Sequence, residues 1–384
     1  MNGTIVSKTK IYRRVLQTKN IIKFMFFFAF YIQQSGANQD YILEKVLSDH
    51  TSWIQKVIVR ENNIASSTYE DGKVMIHDLE AGTLLNTFDH PGRVAGLAYN
   101  LNGNLLASGG NNSEVRVWDV RNGELIRTLN ASEIIDGIKY DRSVGAVAFF
   151  DDKIAANCLS GYIRMLVWDA ANGWLVNEYN DSQDWANSVC CSSLGKMAAA
   201  GPYGVITCWN PHDNSIKNKD YDLANGGEVI GAIAISPLNS DFMAATSNDW
   251  SIENWSRDNL PTDLLETTVA VKTLFDVSKE NSLIHVSSGG KGTIKTLNFA
   301  DASKPCVINE GDAFFIQVAC APGNENLIAA AYHKGIKILD TKAGSCLNID
   351  DPNIVQTVAF AGYNDEIIVS GSNDSLIKIW KKNN

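Results

Sequence analysis

The sequence has little of what enzyme and metal sites are built from. Only six histidines occur, His50, His77, His90, His212, His285 and His333. No two share the spacing that puts a pair of metal ligands on one helix face, and no HExxH is present. There is no GxSxG elbow and no Walker loop. Gly289-Gly290-Lys291-Gly292-Thr293 is rich in glycine but lacks the four-residue spacer of a phosphate loop. The seven cysteines include no CxxC pair, which excludes an ordinary zinc site. Their odd number leaves at least one thiol unpaired within the chain. Adjacent Cys190 and Cys191 would point to opposite faces of a strand, so core filling is the simplest role for these residues. No metal or cofactor is expected, and no catalytic residue can be named.

A long hydrophobic run is also missing. Phe24–Ile32 is apolar but nine residues long, whereas a membrane-spanning helix needs about 20. Lys23 blocks its extension toward Ile21 and Ile22, so no stable membrane span is expected. Acidic residues are absent from the first 37 positions, which hold six basic ones (Lys8, Lys10, Arg13, Arg14, Lys19 and Lys23). With a net charge of −10 for the whole chain, the remainder carries −16. Such a body lacks the positive potential that nucleic acid requires and favours basic partners, if charge selects among them. A basic stretch, a short apolar run and small residues at Ser35 and Ala37 fit a secretory signal cleaved before Asn38. Residues 1–37 are therefore set apart as a targeting segment and 38–384 as the folded body. Secretion or export is the expectation, with a cytoplasmic location as the alternative. The Asn-x-Ser sequons at Asn111, Asn130, Asn180, Asn254 and Asn373 are about as frequent as composition alone would give, and add nothing to it.

What the body does contain is a repeat. The stretch Leu84–Asp119 holds four short apolar runs, Leu84–Phe88, Val94–Tyr99, Leu105–Ser108 and Val115–Trp118. They are separated by clusters of Gly, Asn, Asp and Ser, the pattern of consecutive antiparallel strands. Val117-Trp118-Asp119 returns as Val167-Trp168-Asp169. Weaker echoes end at positions 78, 210, 256, 298, 340 and 381. The spacing stays between 41 and 50 residues. A period near 40–45, four strands per unit and a closing Trp-Asp resemble the WD40-repeat family.

The resemblance covers roughly residues 41–384 and implies an all-β fold: a single closed β-propeller of four-stranded WD40-like blades. Eight triplets imply eight blades, with seven as the alternative. Tyr41–Leu47 should be an outer strand that meets the last triplet, so that the two ends share one blade and no edge is left free. The family holds strong blades together with a polar network of His, Ser or Thr, Asp and Trp. The matching residues here are His50, Ser67 and Asp71, with His77 in place of Trp; His90, Ser108 and Trp118, with Asn112 in place of Asp; and Ser370, Asp374 and Trp380, with Asp351 in place of His. Blades that have lost part of the network are expected to rely on plain apolar packing. Gly289–Thr293 falls on a tight turn, as do Asp71, Asp249 and Asp374.

The expected function is a non-catalytic scaffold that binds proteins or peptides through the propeller rim. An enzyme or ligand-binding propeller with a site over the central channel is the alternative. The rim is formed by the loops entering each first inner strand and by the turns after each second strand. Trp53, Arg93, Trp185 and Phe314 stand at equivalent loop exits. The unit of 50 residues has extra length at Ala131–Arg142, a loop that raises Ile135 and Tyr140 toward the same rim. Aromatic residues and arginine dominate protein interfaces, so these six are the candidates for partner contact.

Overall fold

The computed structural model describes residues 40–180 and 316–383, apart from short stretches at 136–137, 151, 159–162, 322–323, 341 and 362–365. Between 181 and 315 it describes strand backbones only. All regular structure among these residues is β-strand. Leu43–Lys381 forms one compact unit.

Among the described residues, seven antiparallel sheets have four strands, one has three, and one is a two-stranded hairpin. The first sheet runs Ile54–Arg60, Asn63–Thr68, Lys73–Asp78 and Leu84–Asp89, and the second Val94–Tyr99, Leu105–Gly110, Glu114–Asp119 and Leu125–Asn130. The third runs Val144–Phe150, Lys153–Cys158, Ile163–Asp169 and Leu175–Asn180. Further sheets begin at Ser188, Ile230, Phe275 and Phe315, each ordered as a simple meander. The eighth takes Val355–Ala361, Ile367–Ser372 and Ile377–Lys382 from the C-terminal end and adds Tyr41–Leu47 from the other. The signature triplets end within one residue of the third strands' ends, which lie at Asp78, Asp119, Asp169, Trp209, Ser256, Asn298, Asp340 and Lys382.

Burial explains which residue types stand where. Second strands such as Leu105–Gly110 and Ile367–Ser372 are buried along almost their whole length and are built of Leu, Ile, Val, Ala, Ser and Gly. Outer strands do the opposite. Leu84–Asp89, Leu125–Asn130 and Ser345–Asp350 each bury one residue, Phe88, Leu129 and Ile349. That residue pins the strand to its neighbour: the Phe88 ring stacks on Trp118 of the second sheet at 4.8 Å and 9°. The core therefore lies between sheets. One cluster joins Val74, Ile76 and Phe88 to Val94, Leu106 and Trp118, and another joins Ile54 and Ile64 to Val369 and Ile379.

Neighbouring sheets meet along their first strands. Ile54–Arg60 packs on Val94–Tyr99, that strand on Val144–Phe150, and so on to Val355–Ala361, which packs back on Ile54–Arg60. Gly96 makes one of these approaches possible, since a Cβ there would sit 2.9 Å from the Val147 amide nitrogen. Side chains also bridge them: the Val57 amide donates to Thr357 Oγ1 at 3.2 Å, and the Val358 amide to Gln317 Oε1 at 3.1 Å.

Two expectations need correction. The extra residues at Ala131–Arg142 are not an open loop, since Glu133–Ile135 and Ile138–Tyr140 pair as a hairpin. Nor does the last sheet, which has Asp in place of His, fall back on apolar packing. Lys378 Nζ is fully buried and donates to Asp351 Oδ2 at 2.6 Å and to Asp374 Oδ2 at 3.0 Å, with Ser372 Oγ at 3.4 Å. Losing the histidine makes room for an ion pair rather than for hydrocarbon.

Candidate functional site

The loop Ser48–Trp53 leads into the first sheet and is held by side chains at three successive positions. Asp49 Oδ2 accepts from His77 Nε2 at 3.0 Å, His50 Nε2 lies 2.8 Å from Ser66 Oγ, and Thr51 Oγ1 donates to Asp71 Oδ2 at 3.1 Å. The Ser66 hydroxyl donates onward to the Met75 carbonyl, so the His50 ring is the donor to Ser66. Asp71 also accepts from the Lys73 amide and the Thr68 hydroxyl. These ties fix the backbone that presents Trp53.

Trp53 is 56% exposed. Its carbonyl accepts from the Tyr69 amide at 3.0 Å, which brings the turn after the second strand against the loop exit. The Trp53 and Tyr69 rings lie 6.4 Å apart and tilted by 41°. The Arg93 guanidinium, from the loop entering the second sheet, lies over the Tyr69 ring at 4.1 Å and donates to Gln55 Oε1 at 3.2 Å. An arginine, a tyrosine and a tryptophan thus form one layer. A guanidinium on an aromatic face contributes about 0.5–1 kcal/mol at an exposed site, which favours this layer before any partner arrives.

Sequence reasoning named Trp53 and Arg93 but missed Tyr69 and Gln55. The signal for Tyr69 was available, since it opens the turn that forms the other half of the rim. Ile135 and Tyr140 lie on facing strands of the hairpin, Ile135 opposite Ile138 and Tyr140 opposite Glu133; their side chains are outside the described residues. Trp185 and Phe314 are outside them altogether.

The internal network differs in register from the expectation. Trp118 Nε1 donates to Ser108 Oγ at 2.9 Å and Trp380 Nε1 to Ser370 Oγ at 2.8 Å. In the first sheet Ser66, not Ser67, takes that place, and Ser67 Oγ donates to the Val94 carbonyl. His90 is buried beside the backbone of Ser108 and Glu114, and its ring lies where a Cβ on Gly110 would fall. Burial pushes His50 and His90 down to about 4, and it lowers His77 as well, against the pull of Asp49. These histidines are neutral at pH 7 and face the interior. Among the described residues no three His, Cys, Asp or Glu side chains gather as a metal site, and no helix is long and apolar enough to cross a membrane.

Four-stranded meanders packed along their first strands, with a buried Trp–Ser bond and a terminal Trp-Asp, define a protein of WD-repeat type. The sequence comparisons agree. The family described as "WD domain, G-beta repeat" matches residues 345–381, and the "Anaphase-promoting complex subunit 4 WD40 domain" matches residues 70–143. Both models describe WD40 repeats, and the findings together support a WD40-repeat family. It is 26% identical over 179 residues to "COMPASS component SWD3" of Saccharomyces cerevisiae, covering 44% of this chain and 50% of that protein. It is 28% identical over 147 residues to "Autophagy-related protein 16" of Arabidopsis thaliana, covering 37% of this chain and 28% of that protein. The matches thus span half or less of these relatives' length. Among solved structures it resembles the computationally designed Ika8 protein, with a TM-score of 0.70, 18% identity and coverage of 87% of this chain and 98% of that one. That likeness concerns the fold alone.

Proposed function

We propose that this protein is a non-catalytic platform that binds other proteins or peptides at the rim carrying Trp53, Tyr69 and Arg93. The observation that carries the reading is the aromatic layer itself: large rings left 56% and 43% exposed, yet fixed by the ties beneath them. Rigid exposed aromatics enter a partner's pocket at little entropic cost. Membership of a family of interaction scaffolds supports the same role in general, and the acidic body favours basic partners. The return of Val355–Ala361 to Ile54–Arg60 supports a closed ring of eight blades as the scaffold.

Replacing Trp53 and Tyr69 together by alanine should reduce the recovery of bound proteins in affinity purification at least tenfold, with the far-ultraviolet circular dichroism unchanged. Undiminished recovery by the folded variant would remove this rim as the binding face. The basic and apolar leader supports export, with cleavage after Ala37. N-terminal sequencing of the protein from its natural source should begin at Asn38, and an intact leader on a cytoplasmic protein would overturn that assignment.

A further inference from the structure

We infer that the first sheet's rim binds an arginine side chain of its protein partner, the guanidinium stacked on Trp53 and paired with the Glu70 carboxylate. This rests on the platform reading and adds the chemistry of one contact to it.

Three rim turns share one backbone bond. The Tyr69 amide donates to the Trp53 carbonyl, the Asn111 amide to Arg93, and the Asn373 amide to Ile354, each at 3.0 Å. Trp53, Arg93 and Ile354 are therefore structural equivalents, and so are Tyr69, Asn111 and Asn373. Only in the first of these three turns are both members aromatic. The same alignment isolates Glu70. Asp374 directly follows Asn373 and accepts from the amide of Leu376, two residues on. Asp71 accepts from the amide of Lys73 in the same pattern, but Glu70 separates it from Tyr69. Glu70 is thus an added residue at the tip of this turn, and it is exposed.

The neighbouring charges point to a cation as the group received. Asp49 and Asp71 are engaged by the His77 ring, the Thr51 and Thr68 hydroxyls and the Lys73 backbone amide. Lys73 is itself paired with Asp89 and Arg93 is held by Gln55 and Tyr69. Glu70 is the carboxylate left for a partner. Arg93 covers one face of Tyr69, whereas Trp53 keeps an open surface. A planar guanidinium can stack on an indole and form two parallel bonds to a carboxylate, which the compact, strongly hydrated lysine ammonium does less well. The protein already shows half of this arrangement within itself, where Arg93 lies on Tyr69.

The test uses the full chain labelled with 5-fluorotryptophan and read by fluorine NMR, the Trp53 resonance being assigned by its loss in Trp53→Phe. Blocked tripeptides Gly-Arg-Gly, Gly-Lys-Gly and Gly-Glu-Gly are the probes. The arginine peptide should shift the Trp53 signal saturably, at least fivefold more tightly than the lysine peptide, and Glu70→Gln should weaken it at least fivefold. No shift, an equal response to the glutamate peptide, or indifference to Glu70→Gln would overturn the assignment. Affinity purification separates the two readings. If partners are lost from the Trp53/Tyr69 variant but fully retained by Glu70→Gln, the rim stands and the arginine contact falls. If both variants retain them, both readings fall.

Discussion

Lys378→Met lowers the free energy of unfolding by about 3–5 kcal/mol at pH 7, the usual cost of removing one partner from a buried ion pair. Lys378 and Asp351 have no exposed side-chain surface, and Asp374 is nearly as enclosed. Without the ammonium, Asp351 keeps its burial and loses its counter-charge. Burial already pushes the Asp351 carboxyl above the usual carboxylate range, with Lys378 working against that push. In the variant it should therefore take up a proton more readily, and the deficit should shrink as pH falls toward 5. Urea unfolding followed by circular dichroism at pH 7 and pH 5 measures both effects. A loss below about 1 kcal/mol at pH 7 would mean the pair contributes like a surface one. Removing both partners, Lys378→Met with Asp351→Leu, should recover most of the loss, because no uncompensated charge then remains.

The second large effect is acid sensitivity well above the range where carboxylates titrate. His50 and His90 are held down to about 4 in the fold, against 6.5 for the free side chain, and burial is the main cause in both. Unfolding releases them to bind protons. The stabilisation from keeping them neutral is complete above pH 6.5 and is lost as pH falls through 6.5 toward 4. At about 1.4 kcal/mol per unit, each histidine is worth roughly 3 kcal/mol at the end of that window. Two of them reach a substantial part of the 5–15 kcal/mol typical of a folded domain. His77, lowered in the same sense, adds to the slope, whereas the raised Asp351 opposes it. The midpoint of thermal unfolding should drop steeply between pH 6.5 and 4.5, and a His50→Gln, His90→Gln variant should show a much shallower drop. Parallel curves for the two proteins would discard the explanation.

The repeat was legible because its period is carried by residues that do structural work. Trp118, Trp168 and Trp380 close third strands, and counting between such triplets finds the sheets. Even the outer strand Tyr41–Leu47 could be read, since it supplies the strand that the final meander lacks. What could not be read was anything that depends on one residue more or less in a turn. Counting back ten positions from His77, as from Trp118 to Ser108, lands on Ser67. The added Glu70 shifts the equivalence to Ser66. That insertion also brings the most distinctive rim chemistry, and a fixed spacing passes over both consequences. The ion pair at Lys378 was hidden for a different reason. Asp351 at a histidine position reads as a loss when taken alone, and it becomes an exchange only when its partner on a strand 27 residues later is seen beside it.

Pairing Tyr41–Leu47 with Ile377–Lys382 also sets a timetable. The Val57 amide meets Thr357 across 300 residues of chain. On a ribosome adding about 5–20 residues per second, the first strand waits roughly 20–70 s for the one that completes its sheet. During that time the apolar side of the first sheet, including Ile54 and Ile64, has no neighbour to cover it. The first sheet is thus made long before the residues that cover it, Val369 and Ile379, and until they emerge its apolar side is the surface most open to wrong contacts.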